Sequence, residues 1–181
     1  MSVSDQTLVN GVRSGDREAF ADLYHRHARF IRAVCYDVTR DLSCAADLTQ
    51  EAFLRAYRCL GDLRDPERFA PWLLGIARHV CREWLRAQRL QRRFIEAFRS
   101  RLHTTLPRDG SGANDAAHTL REAIAGLPEK ERLALHAFYL MQMDAEQARG
   151  ILELSRPGFY RVLSRARHRL RRVLLRAEVH P

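Results

Sequence analysis

An all-α fold of two small helical domains is what this sequence predicts. Three observations lead there. Apolar and polar residues nowhere alternate long enough to make a strand, apolar residues recur instead at helical spacing, and one stretch, residues 99–116, breaks that period with Pro, Gly, Ser, Asn and Asp. The chain of 181 residues has room for one medium or two small domains. The boundaries expected are 1–98 for the first domain, 99–116 for a flexible linker and 117–181 for the second.

Each element follows from its own signals. Asp5 to Arg13 is expected as a short helix ended by Ser14-Gly15. From Asp16, a good N-cap, the residues Phe20, Leu23, Tyr24, His27, Phe30, Ile31, Val34, Cys35 and Val38 trace one face of a long helix. The next helix, about Ser43 to Leu60, is expected to bury Leu48, Ala52, Phe53, Ala56, Tyr57 and Leu60 and to stop at Gly61. Asp65-Pro66 starts a brief turn, and Pro71 suits the first turn of a long helix reaching about Phe98. In the second domain a helix ends at Gly126 and another runs from Pro128 to Leu140. A third is capped by Asp144, with Gln147 completing a capping box, and the last is capped by Ser155.

Charge narrows the function. The formal net charge is +9 and Lys130 is the only lysine, so the positive charge is almost all guanidinium and polyanions are the natural partners. The last segment carries eight arginines (156, 161, 165, 167, 169, 171, 172, 176) and no acid between Ser155 and Ala177. Its apolar residues Phe159, Val162, Leu163, Ala166, Leu170, Val173 and Leu174 form a separate stripe. Two helices joined by a short turn, the second basic and one-sided, fit the motif that lays its second helix in the DNA major groove. That leaves Arg156, Tyr160, Arg161, Ser164 and Arg165 to approach duplex DNA.

Two other surfaces stand out. After Pro71, Leu73, Ile76, Ala77, Val80, Trp84 and Leu85 face inward, while Arg78, Arg82, Arg86, Arg89 and Arg93 form one basic row that repels itself unless a polyanion neutralises it. His79 lies beside that row. Phe69 and Trp72 sit where the preceding turn meets this helix, suited to stacking on unpaired bases, with a core plug as the other reading of Trp72. On the helix before it, Asp47, Gln50, Glu51 and Leu54 fall at i, i+3, i+4 and i+7, an acidic stripe with one exposed leucine that suits a basic, partly apolar protein partner.

Cys35, Cys44, Cys59 and Cys81 are too widely spaced for a CxxC pair and read as reduced core thiols. His25 and His27, at i, i+2, point to different helix faces and make a poor chelate. No metal, cofactor or catalytic constellation is expected, hence no enzyme. The polar N-terminus and the lack of an 18-residue apolar window point to a cytoplasmic protein without membrane insertion.

Three segments in order carry a family resemblance. "DLTQEAFLRAY" (Asp47 to Tyr57), "RFAPWLLGIARHVCREWLR" (Arg68 to Arg86) and "LPEKERLALHAFYL" (Leu127 to Leu140) with the helix-turn-helix after it resemble the extracytoplasmic-function class of sigma-70-type sigma factors. The resemblance implies a region 2-like helical bundle and a region 4-like helix-turn-helix domain in a minimal two-domain member. It implies bacterial core RNA polymerase (beta-prime coiled coil and beta flap), promoter DNA and an anti-sigma factor as partners. It assigns Asp47, Gln50, Glu51 and Leu54 to polymerase, Phe69, Trp72, Arg78, His79, Arg82 and Arg86 to the minus-ten strand, and the last helix to the minus-thirty-five element.

The last helix departs from the family pattern. Glu153 occupies the turn where a glycine is usual, and Ser155-Arg156-Pro157-Gly158-Phe159-Tyr160-Arg161-Val162 replaces the usual Pro-x-Gly-Thr-Val-Lys-Ser-Arg run. The bases it reads therefore do not transfer from the family. Two other functions stay open on the residues alone: a stand-alone dimeric helix-turn-helix regulator, and a metal-dependent nuclease built on His25, His27 and a cysteine.

Overall fold

Polar capping residues open the first three helices. In a computed structural model, which describes residues 3–102, 116–140 and 145–179, α1 spans Asp5–Arg13, α2 Arg17–Thr39, α3 Leu42–Arg58 and α4 Phe69–Leu102. Ser4 caps α1 through the Thr7 N–H, Asp16 caps α2 through the Glu18 and Ala19 N–H groups, and Asp41 caps α3 through the Cys44 N–H. That last bond holds the Asp41 carboxyl below the usual range. Gly15, at φ +100°, makes the tight turn between α1 and α2.

These four helices pack around Leu8, Val9, Leu23, Phe30, Ile31, Phe53, Leu73 and Ala77. The end of α1 is tied down by Arg13, which donates to the carbonyls of Leu60, in the single-turn 3₁₀ segment after α3, and of Leu63, just beyond it. Inside α1 and α2, Asp5 accepts from Arg26 (2.5 Å) and from His27 Nε2 (2.8 Å). Burial raises the Asp5 carboxyl, but the hydrogen bonds and charges of His27 and Arg26 outweigh it and the net shift is downward. His27 is thereby committed to the core: it is buried against Phe69, ring centroids 5.6 Å apart. That removes it from any chelate with His25, and among the described residues no cluster of His, Cys, Asp or Glu could hold a metal.

The second unit has α5 (Ala116–Ala125), α6 (Glu129–Leu135) continuing into a π-type turn (His136–Leu140), α7 (Ala145–Ile151) and α8 (Arg156–Val179). Phe159, Leu163 and Ala166 of α8 are buried against Leu127, Leu133, Ala134, Ala148 and Ile151. Arg167 spans the rings of Phe138 and Tyr139 at 5.6 and 5.5 Å and donates to the Tyr139 hydroxyl. Arg169 pairs with Glu131 at 3.3 Å. Two of the eight arginines therefore also hold the domain together.

Several expectations are corrected. α4 continues four residues beyond Phe98, to Leu102, and α5 already includes Ala116, so both ends of the proposed linker are helical; residues 103–115, like the Asp144 cap, lie outside the described residues. Tyr57 is half exposed: it packs its edge on Phe20 (4.9 Å) and turns the rest outward. Val173 is likewise exposed, and Cys59 is no core thiol. Among the described residues no helix is long and apolar enough to cross a membrane.

The candidate polymerase and nucleic-acid interface

α3 presents the acidic stripe. Asp47, Gln50 and Leu54 are exposed, on the side away from Ala45, Thr49, Ala52 and Phe53, which are buried. Glu51 is only half exposed and is engaged: Arg55 donates to it at 2.6 Å and to Glu83 of α4 at 2.6 Å, while His79 meets Glu83 at 2.9 Å. The Arg55 hydrogen bond holds the Glu83 carboxyl below its ordinary value. This chain of charges braces α3 against α4. Sequence reasoning could not find it, because Arg55 and Glu83 are 28 residues apart on different helices.

α4 presents the basic row. Arg82, Arg86, Arg89 and Arg93 are exposed, with Leu73, Ala77 and Val80 on the opposite side in the core. Arg78, the first of the row, is half covered and donates to Glu129 of α6 at 2.7 Å. Phe69 does not belong to this surface. It is fully buried, because the Pro66–Arg68 3₁₀ turn, capped by Asp65, starts the helix at Phe69 and turns that ring under His27. Trp72 remains half exposed, lining an open cleft of about 400 Å³ with Leu63, Asp65, Arg68 and Glu153.

On α8, Arg156, Tyr160, Arg161, Ser164 and Arg165 are all exposed, and the stripe at Phe159, Leu163 and Ala166 faces the other way. Ser155 accepts from the Gly158 N–H at 3.2 Å and so caps the helix. A Cβ on residue 158 would lie 2.9 Å from that hydroxyl, so Gly158 is what leaves room for the cap. His168, Arg169 and Arg172 join Ser164 and Arg165 around a shallow basic depression, an extension of this face missed in the sequence. The turn before α8 closes with Glu153 N–H on the Gly150 carbonyl and Leu154 N–H on the Arg149 carbonyl. Glu153 sits at φ 53°, the left-handed conformation usual for glycine there, at a cost of about 1–2 kcal/mol for a residue with a Cβ.

The family described as Sigma-70 region 2 matches residues 23–91. The RNA polymerase sigma-H factor of Pseudomonas aeruginosa is 30% identical over 72% of this chain and 73% of its own length. The chain belongs to the sigma-70 family. Within it, the extracytoplasmic-function (ECF) group is the one to which it is similar along most of its length, as in the ECF sigma factor SigM of Bacillus subtilis, 26% identical over 83% of this chain and 91% of that one. A probable sigma factor, RfaY, of Xanthomonas campestris pv. campestris is 31% identical over 90% of this chain, which spans only 42% of that relative's length. Among solved structures, CnrH in complex with the cytosolic domain of CnrY shares the fold, with a TM-score of 0.62, 22% identity, and coverage of 94% of this chain and 96% of that one.

Proposed function

We propose that this ECF sigma factor binds bacterial core RNA polymerase and directs it to promoters through three separate faces. Asp47, Gln50, Glu51 and Leu54 of α3 dock on the basic, partly apolar beta-prime coiled coil, and the second unit also meets the beta flap. Trp72, Arg78, His79, Arg82 and Arg86 take the opened minus-ten strand, where capturing an unstacked base offsets an opening cost of a few kcal/mol. Arg156, Tyr160, Arg161, Ser164 and Arg165 anchor the upstream minus-thirty-five duplex.

The observation that carries this reading is the segregation of charge. An exposed acidic stripe on α3 stands beside an exposed basic row on α4, braced by Arg55, and a dimeric regulator that touches only DNA has no use for the acidic face. Residues 1–98 then act as the polymerase and minus-ten domain and 117–181 as the minus-thirty-five domain. The chain does no covalent chemistry itself and works in the cytoplasm, where an anti-sigma factor is its natural regulator. Mixing the purified chain with bacterial core polymerase tests this: co-elution as a stable complex supports it, and elution of the chain at its own position overturns it.

A further inference from the structure

Among the described residues three ionic contacts join the two units, and each takes a side chain from both. Asp37 of α2, with only 6% of its side chain exposed, accepts from Arg132 Nε at 2.5 Å and from His136 Nε2 at 2.9 Å, both in the second unit. Arg132 is itself fixed there by the Ala125 and Leu127 carbonyls. Glu129 of α6 holds Arg78, and Glu153 of the helix-turn-helix turn holds Arg68, one residue before α4. α2 lies against the π-type turn and α4 against α7. A buried carboxylate whose two partners, Arg132 and His136, both come from the other unit means that this contact is built into the sequence of both.

The two remaining pairs fall on the surface assigned to the opened strand. Arg78 belongs to the basic row, and Arg68 shares the Trp72 cleft with Glu153. Carboxylates of the second unit thus occupy guanidinium groups that would otherwise meet phosphates. Glu153 holds a left-handed backbone, a conformation that glycine adopts without strain. The local turn gains nothing from glutamate there. The ion pair with Arg68 is what glutamate supplies there.

We propose that the free protein is held closed by this latch, with Glu129 and Glu153 acting as phosphate substitutes on the minus-ten face, and that docking on polymerase opens it. The inference rests on the functional reading of α4 given above. The recognition face of α8 stays exposed in the closed form, so upstream duplex binding is not masked while strand capture is.

The test uses the full chain in two forms, wild type and Glu129→Gln/Glu153→Gly. Both positions are exposed, and glycine relieves the left-handed backbone, so the fold is retained. Two readouts are taken: radius of gyration by small-angle scattering, and affinity for a fluorescent single-stranded DNA of mixed sequence at low salt. The buried Asp37 contact is intact in the variant and holds its radius of gyration at the wild-type value, while the single strand is expected to bind about 2- to 10-fold more tightly, from the release of two partly exposed pairs. A control of equal charge change, Glu122→Gln/Glu146→Gln, is expected to leave both readouts at the wild-type value. Identical single-strand affinity for wild type and variant overturns the latch, as does an equal gain in the control. Failure of the functional reading is a separate result: neither wild type nor variant then co-elutes with core polymerase.

Discussion

Replacing Arg82 and Arg86 of α4 by alanine removes two exposed guanidinium groups that have no ion-pair partner among the described residues. The fold is untouched, since both point away from Leu73, Ala77 and Val80, and exposed substitutions of this kind stay within about 0.5 kcal/mol of neutral. The effect on an opened strand is large. Each lost phosphate contact lowers the log-affinity against log-salt slope by about 0.7 on single strands, so the pair lowers it by roughly 1.4 units, worth about 7-fold over a fourfold change in salt. Arg161→Ala on α8 acts elsewhere: it weakens upstream duplex binding and, where the fork meets a guanine, relaxes discrimination by about 1–3 kcal/mol at that base. Footprinting the polymerase complex on an intact duplex and on a template with a pre-opened bubble, across a salt series, separates the two. The Arg82/Arg86 variant should lose opening and part of the salt dependence while keeping upstream preference. Equal failure of both variants on both templates would refute the division into two DNA faces.

Three further outcomes follow from the same geometry. Glu51→Arg combined with Asp47→Arg should abolish co-elution with polymerase, a loss of several kcal/mol in a complementary interface, while costing folding no more than about 1 kcal/mol for the Arg55 pair; unchanged co-elution removes α3 from the interface. Asp5→Asn should destabilise the first unit by about 1–3 kcal/mol at neutral pH. Its folded carboxyl is held below the unfolded value, so that stabilisation is present above about pH 4 and fades as pH falls through the folded value; urea unfolding in which the Asp5→Asn deficit stays constant down to strongly acid pH contradicts the assignment. Phe159→Ala, at a fully buried position under α8, should cost about 3–5 kcal/mol and remove duplex binding along with the folded second unit, which circular dichroism melting and a duplex shift assay together detect.

Helices were legible where local rules act alone. α1 begins and ends at Asp5 and Arg13 as its cap and its Ser-Gly stop require, and the apolar face of α2 is the one traced by its periodicity. Errors came where tertiary geometry decides. Phe69 reads as exposed because it precedes the proline expected to start α4, yet the 3₁₀ turn begins the helix earlier and carries the ring into the core. Tyr57 reads as buried from spacing, but it lies at the margin of the α3 stripe, where one edge suffices to pack on Phe20. The contacts of Asp37 with Arg132 and His136 span 95 and 99 residues and carry no periodic signal at all. Glu153 was visible as a departure from pattern; its partner Arg68, 85 residues away, was not.

The central claim is that this chain tells polymerase where to start. Core polymerase is incubated with fragmented bacterial genomic DNA and nucleotides, with and without the full chain, and the 5′ ends of the transcripts are mapped. A small set of discrete ends that appears only with the chain, and disappears with Asp47→Arg/Glu51→Arg, is the result expected. Transcripts whose ends are the same with and without the chain would contradict the account.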